Sequence, residues 1–193
     1  MVQWIKVVGS WATVRDMARN TVNKDALGED AEVSHRFRRA MLIAEHSPIR
    51  ALQFNFLLRI KYWISVHLVR HKIGVEHFVA TQRDDRTGVP RDEKPQSAPV
   101  DHAMIANVQA LITMSRKRLC FLAHPETRRE WMRVKQSVAT VDQDVADAMV
   151  PECIYRGFCP ETQKCKERYE DTPKFVRDLV AYRNMAGNRW PKA

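Results

Sequence analysis

The sequence predicts a single α+β domain in which a small, mainly antiparallel sheet packs against helices. The first observation is a strand-like segment in which Phe54 and Phe56 alternate with polar residues. The second is that the later half of the chain carries apolar residues at helical spacing. Strands that come first and helices that come later are typical of α+β domains. With 193 residues, 45% of them hydrophobic, the chain suits one core, so we expect one domain over residues 1–193.

Two strands and three helices are predicted in the first half of the chain. We expect the strands over residues 4–8 and 53–56. Ser10 and Ser34 are suitable N-caps, so each predicts a helix after it. The first two helices should bury Trp11, Val14 and Met17, and then Phe37, Met41 and Ala44, while Tyr62, Trp63, Val66 and Val69 mark the third.

A turn is predicted at His46, Ser47 and Pro48. Pro48 cannot continue a helix, and the residue before a proline is driven away from helical geometry. Ser47 should therefore lie on an exposed corner. Its hydroxyl is free there to bind a ligand or, as turn serines commonly do, its own backbone.

Residues 84–101 are predicted to form a long loop. They contain three prolines, one glycine and many charges, with no apolar period. Loops of this length are usually functional or disordered. We therefore expect either a mobile cover over a neighbouring site or a flexible linker.

Helices are predicted along the remaining chain. Pro125 suits the first turn of the second of them. The apolar patterns that define these helices are Ile105, Val108, Leu111 and Ile112, then Trp131, Val134 and Val138, then Val141, Val145 and Met149, and last Phe175, Leu179 and Tyr182. The last pattern belongs to a C-terminal extension over residues 151–193, in which we identify no chemistry.

The formal net charge of +9 indicates anionic partners. Nucleotide phosphates and nucleic acid both fit this charge. A nucleic-acid module is not favoured, because the sequence contains no zinc-finger spacing, basic zipper or RNA-recognition motif. No apolar run approaches the length that spans a bilayer, and the N-terminus lacks the layout of a secretory signal, so we expect a cytoplasmic protein.

The four cysteines do not define a disulfide framework, since three of them lie late in the chain at Cys153, Cys159 and Cys165. A metal site is the alternative. The intervals are longer than those of structural zinc sites, and a fourth ligand, Cys120 or His124, would have to come from far away in the sequence. We therefore expect these thiols to serve in packing, with no bound metal.

The residues with the clearest chemistry are the run Arg70, His71 and Lys72, followed by Thr81, Gln82 and Arg83. Cations, an imidazole and a hydroxyl close together suit an anion site. The simpler explanation is a basic helix end, where Arg70 and Lys72 complement the helix dipole.

Residues 47–56, 67–72 and 81–83 together resemble the flavin-dependent thymidylate synthases, whose signature is Arg-His-Arg, a spacer and Ser-x-Arg. In this chain Lys72 replaces the last arginine of the first part, and Thr81 replaces the serine. The spacer is one residue longer, and Asp84 stands where the family usually has Tyr. The resemblance is best over residues 34–83, looser over 104–150 and absent beyond 151.

The resemblance implies an enzyme that moves a one-carbon unit from methylenetetrahydrofolate to C5 of deoxyuridine monophosphate (dUMP). FAD carries the hydride, NADPH reduces the flavin, and the family forms homotetramers with sites between subunits. The positions matching its flavin contacts are Ser47, Arg70, His71, Lys72 and Arg116. Those matching its nucleotide contacts are His67, Thr81, Gln82 and Arg83. Arg70 and Arg128 are the catalytic candidates, the latter as the group that polarises the base.

Asp84 and Asp85 leave other functions open, because two carboxylates beside a phosphate site repel the ligand unless they face away or pair with Arg83 and Arg86. A carboxylate accepts a hydrogen bond from the amine of cytosine, so a cytidylate-modifying relative is one alternative. An inactive flavoprotein is another. From a different class, a small basic nucleic-acid-binding protein also fits the composition.

Overall fold

The computed structural model describes residues 1–185 and residue 187. These residues form one α+β domain built on a four-stranded antiparallel sheet, which confirms the predicted fold class. The strands are β1 (Val2–Val8), β2 (Gln53–Lys61), β3 (Val75–Val79) and β4 (Pro99–Asn107). They lie in the order β1-β2-β4-β3, so β2 and β4 form the centre of the sheet.

Helices connect and cover the strands. The α-helices of the described residues are α1 (Trp11–Asn20), α2 (His35–Ile43), α3 (Tyr62–Leu68), α4 (Asp84–Thr87), α5 (Val108–Arg118), α6 (Pro125–Ala139), α7 (Gln143–Ala148), α8 (Glu152–Arg156) and α9 (Pro173–Asn184). Three short 3₁₀ helices lie at Ser47–Ala51, Arg91–Glu93 and Tyr169–Asp171. Across this described part of the chain, no helix has the length and apolar character needed to cross a membrane.

One face of the sheet is buried under the helices. In β2 every second residue is buried, namely Phe54, Phe56, Leu58 and Ile60. The alternation arises because successive strand side chains point to opposite faces. Leu111 of α5 and Trp131 of α6 complete the core over this face.

The predicted helix starts are confirmed. The Ser10 hydroxyl accepts a hydrogen bond from the backbone N–H of Thr13 at 3.0 Å, and the Ser34 hydroxyl accepts one from Phe37 at 3.3 Å. Pro125 occupies the first turn of α6, where its missing N–H costs nothing.

Strand β4 is the main correction to the sequence prediction. The expected loop over residues 84–101 ends earlier, because β4 begins at Pro99, and the loop contains α4 and the 3₁₀ turn at Arg91–Glu93. Ile105 lies in β4 and not in a helix. The strand pattern is hard to see in the sequence because a buried polar residue, His102, occupies one of its inward positions.

The inner faces of α1 and α2 differ from the prediction at one position each. Met17 is 49% exposed, because the buried stripe of α1 continues from Val14 to Ala18, four residues on. Ala44 is exposed because it follows the end of α2.

The third predicted pattern of the later helices is only partly correct. Val145 and Met149 are buried, whereas Val141 is 47% exposed. The reason is that Val141 lies in the turn between α6 and α7 and belongs to neither helix.

The opposite face of the sheet is largely exposed. One row across all four strands consists of Trp4, Leu57, Ala103 and Phe78. Trp4 is 47% exposed and Phe78 58% exposed. We call this row the open sheet row. Aromatic side chains at both of its edges give the face an apolar character.

The C-terminal extension folds onto the rest of the domain as far as the structure describes it. The predicted closing helix is α9, with Thr172 as its N-cap. Phe175 and Tyr182 of α9 and Tyr169 before it are buried in the common core. Residues 186 and 188–193 of the predicted extension lie outside the described residues.

Candidate functional site

The Arg70-His71-Lys72 run lies in a tight turn between α3 and β3. Gly74 in this turn has a φ of +72°, and a Cβ atom there would lie 2.6 Å from the side-chain nitrogen of Asn107. The backbone N–H of Asn107 donates to the Gly74 carbonyl at 2.9 Å. The start of α5, which Asn107 caps, therefore fixes the far end of the turn.

Arg118, the last residue of α5, fixes the near end of the same turn. Its Nε donates to His71 Nε2 at 2.9 Å, and its Nη2 donates to the His67 carbonyl at 2.6 Å. Burial, and then Arg70, lower the pKa of Arg118, but a guanidinium stays charged in a protein. Sequence reasoning did not single out Arg118.

His71 is held in its neutral form. Because Arg118 can only donate, His71 Nε2 must accept, and the single ring proton lies on Nδ1. Burial lowers the pKa of His71 to about 4, with further contributions from Arg118 and His77. The imidazole therefore presents a neutral N–H donor at pH 7.

Two more histidines support the turn from the sheet. His77 Nε2 lies 2.8 Å from the His71 carbonyl, and His77 Nδ1 lies 2.9 Å from His102 Nε2. A carbonyl only accepts, so His77 Nε2 carries a proton. His102 is fully buried, and burial followed by His77 lowers its pKa to about 4. A chain of hydrogen bonds thus runs from the core to the backbone of His71, through two residues that the sequence analysis missed.

His67, a predicted nucleotide contact, is held between helices. Its Nδ1 lies 2.9 Å from the Thr127 hydroxyl of α6, and its ring meets Trp63 edge-on at 5.4 Å between centroids. Burial lowers its pKa, and Arg118, Arg70 and His124 lower it further. Several cationic groups therefore converge at the end of α3.

The predicted flavin contacts Arg70, Lys72 and Ser47 are exposed. Arg70 and Lys72 point to the surface just beyond α3, and Ser47 begins the 3₁₀ turn Ser47–Ala51 on an exposed corner, as predicted. Both cations also lie where the carbonyl end of the helix dipole favours positive charge.

The Thr81-Gln82-Arg83 turn is preorganised by its own contacts. The Thr81 hydroxyl accepts from the Arg83 backbone N–H at 3.2 Å. The Arg83 guanidinium pairs with both carboxylate oxygens of Asp85, at 2.9 Å each. Of the two carboxylates that would repel a phosphate, Asp84 and Asp85, the structure thus pairs Asp85 with an arginine. Since the pair is exposed, it is worth no more than about 1 kcal/mol and a phosphate can displace it.

This turn lines a groove along α3. One part, of about 250 Å³, lies between the turn and α3 residues that include Tyr62 and Val66, with Arg91 at its edge. An adjoining part of about 340 Å³ shares Tyr62, Gln82 and Arg91 and adds Lys94. Together they have the volume of a small-ligand site. Arg91 and Lys94 belong to the predicted loop over residues 84–101. The sequence indicated them as binding residues only through the many charges of that loop.

The remaining two predicted arginines have different surroundings. Arg116 forms an ion pair with Glu45, and its guanidinium lies 3.6 Å from the Tyr155 ring centroid. Two helical positions are about 200° apart around the axis, so Arg116 and Arg118 face different directions. Arg128 lies 4.0 Å from the Phe121 ring centroid and lines a cavity of about 800 Å³ between α6 and α9. The structure does not bring Arg116 or Arg128 into contact with His71.

The fold is similar to that of a solved structure, the UMP/dUMP methylase PolB from Streptomyces cacaoi bound with 5-Br dUMP. The TM-score is 0.61 and the sequence identity 14%, and the match covers 82% of this chain and 95% of the other. At this identity the similarity concerns the fold alone. No protein-family model matches the chain, and no curated protein does.

Proposed function

We propose that this protein transfers a one-carbon unit from methylenetetrahydrofolate to C5 of dUMP, with FAD as hydride carrier and NADPH as reductant. The observation that carries the proposal is that both halves of the motif border α3. Thr81 and Arg83 line the groove along the helix, and His71 is fixed at its end by Arg118. The similar fold of a UMP/dUMP methylase supports the same substrate class.

In this proposal the groove binds the nucleotide. The Thr81 hydroxyl and the Arg83 guanidinium donate to the phosphate, and Arg91 adds a second guanidinium at the groove edge. Asp85 releases Arg83 when the phosphate arrives.

The residues at the end of α3 have the chemistry that FAD requires. The exposed Arg70 and Lys72 suit its diphosphate, the Ser47 hydroxyl can donate to it, and the neutral His71 offers its Nδ1–H. Bound FAD would supply the hydride that completes the transferred methyl group. The cations at this end also stabilise negative charge that builds on the pyrimidine ring.

A homotetramer is part of the proposal, with active sites between subunits. Arg70, Lys72 and Ser47 are exposed, so a second copy is needed to enclose a ligand over them. The open sheet row supplies an apolar surface for such contacts.

The decisive experiment has two stages. FAD is titrated into the purified protein and followed by flavin fluorescence, with the double variant Arg70→Ala, His71→Ala as test and Lys24→Ala, a distant exposed cation, as control. The parent and the control should bind FAD, and the double variant should bind it at least about tenfold more weakly. The FAD-loaded parent is then supplied with dUMP, methylenetetrahydrofolate and NADPH, and thymidylate is measured by mass spectrometry.

The outcomes separate the hypotheses. A protein that binds no FAD in this titration contradicts the proposal and favours the basic nucleic-acid-binding alternative. A protein that binds FAD but yields no thymidylate is an inactive flavoprotein or, when methylated deoxycytidylate forms instead, a cytidylate-modifying enzyme.

A further inference from the structure

All four cysteines of the chain line one pocket. Cys120 directly follows α5, Cys153 lies on α8, and Cys159 and Cys165 lie in the segment after α8. The fold brings them together although Cys120 is far from the others in sequence. Each thiol is free and partly buried.

Residues 157–168, which carry two of the cysteines, have no helix or strand of their own. The contacts that hold them are mainly polar, and Cys165 is the segment's side chain that packs against the core. The Cys159 backbone N–H donates to Glu170 at 3.0 Å, and Lys164 pairs with Glu170 at 2.9 Å. Phe158, the one large apolar side chain of the segment, is 53% exposed. Such a segment buries too little apolar surface to order itself, which is the usual situation of loops that a metal organises.

We propose that Cys120, Cys153, Cys159 and Cys165 together bind one Zn²⁺ ion. The sequence spacing argued against a metal because a fourth ligand was remote, and the fold supplies that ligand as Cys120. Four thiolates form the closed tetrahedral set of a structural zinc site. The charged side chains that also line the pocket are Lys164, Arg168, Glu152, Glu161 and Glu170.

The size of the pocket favours a single ion. Its free space is about 20 Å³, close to that of one water molecule and too small for a four-iron cluster without displacement of its walls. In the present side-chain positions, no three His, Cys, Asp or Glu residues of the described chain form a ready ligand set. The thiols must therefore lose their protons and turn toward a common point, which a change of side-chain rotamer allows.

The role of this ion is structural. With all four ligand positions taken by the chain, no position remains for a substrate. The ion would fix residues 157–168 and α8 to the end of α5, where Arg118 holds His71. The inference does not depend on the proposed enzymatic function.

The test measures metal in the untagged, full-length protein produced with added zinc. We expect about one zinc ion per chain by plasma mass spectrometry, and at least about tenfold less in Cys120→Ser and Cys159→Ser. His124→Ala is the matched control, because His124 was the other remote ligand that the sequence offered, and it should retain the zinc. Zinc that persists in Cys120→Ser, or disappears in His124→Ala, overturns the proposed ligand set.

A second measurement on the parent protein covers the case in which the serine variants do not fold. The parent is stripped with a chelator and loaded with Co²⁺, and tetrahedral thiolate ligation should give visible absorption with sulfur-to-cobalt charge transfer. All four thiols should then resist a thiol reagent until the metal is removed. A parent that binds neither metal, contains iron with sulfide, or forms a disulfide in the pocket contradicts the zinc site.

Discussion

The Arg118 guanidinium holds the His71 imidazole across two helices, with 2.9 Å between Arg118 Nε and His71 Nε2. Arg118 ends α5, and His71 follows α3. The contact fixes both the position of the imidazole and its tautomer. It therefore places the ring proton of the neutral imidazole on Nδ1.

Arg118→Ala should raise the pKa of His71, because it removes a positive neighbour that disfavours the imidazolium. Burial remains, so the pKa should stay below the ordinary value. NMR titration of the ring protons measures this change. Arg116→Ala is the control, since Arg116 pairs with Glu45 and should leave His71 unaffected. Equal titration curves for the parent and Arg118→Ala would show that the contact is absent in solution.

The free energy of unfolding should fall as the pH drops from about 7 to about 4. The pKa values of His71 and His102 are lowered to about 4 in the folded state, whereas unfolded histidines titrate near 6.5. In this window only the unfolded chain takes up these protons, so acid favours unfolding, and below about pH 4 the effect of these two groups levels off.

Urea denaturation at several pH values measures this loss, which should be on the order of 3 kcal/mol for His102 and smaller for the half-buried His71, because solvent screens its surroundings. His102→Gln should flatten the pH dependence, whatever its effect on stability at pH 7. His46, an exposed histidine, provides the control His46→Gln, which should keep the slope of the parent. A slope that His102→Gln leaves unchanged would contradict the assignment.

Arg83→Ala should weaken dUMP binding roughly ten- to a hundredfold, because a charge-assisted hydrogen bond contributes about 1.5–3 kcal/mol. Asp85→Asn should instead strengthen binding, since it removes the carboxylate that competes for Arg83. Calorimetry with the FAD-loaded protein measures both. Lys24→Ala, which removes an exposed cation from another segment, is the control. If Arg83→Ala binds dUMP and deoxycytidylate as tightly as the parent, this turn is not the phosphate site.

Phe78→Asp should dissociate the proposed homotetramer, because it places a charge at one edge of the apolar surface that the open sheet row forms. Light scattering should give about four times the 22.5 kDa chain mass for the parent and less for the variant. Val176→Asp alters an equally exposed side chain on α9 and should not change the mass. A monomeric parent would refute the tetramer, and a tetrameric Phe78→Asp would exclude this face as the interface.

Much of the fold follows from local patterns in the sequence. Phe54 and Phe56 indicated β2 because a half-buried strand alternates, and Ser10 and Ser34 indicated helix starts because their hydroxyls bind the first turn. Strand β4 was missed because its inward positions include His102. That residue is buried only because His77, on the neighbouring strand, provides a hydrogen bond that no local pattern reveals.

The site was less predictable than the fold for a similar reason. Arg116 and Arg118 lie on the same helix and are equivalent in the sequence, and only the direction of each side chain decides which one meets His71. The convergence of Cys120 on the later cysteines likewise depends on where α5 ends. Contacts between remote segments are set by helix length and orientation, which residue spacing does not encode.

Helix α5 touches the turn after α3 at both of its own ends, through Asn107 at Gly74 and through Arg118 at His71. Its 11 residues, about 16 Å in length, therefore set the distance between these two contacts. One inserted residue would turn Arg118 by about 100° around the axis and point it away from His71. Insertions and deletions inside α5 should therefore break this contact, whereas substitutions on the exposed face of the helix should leave it intact.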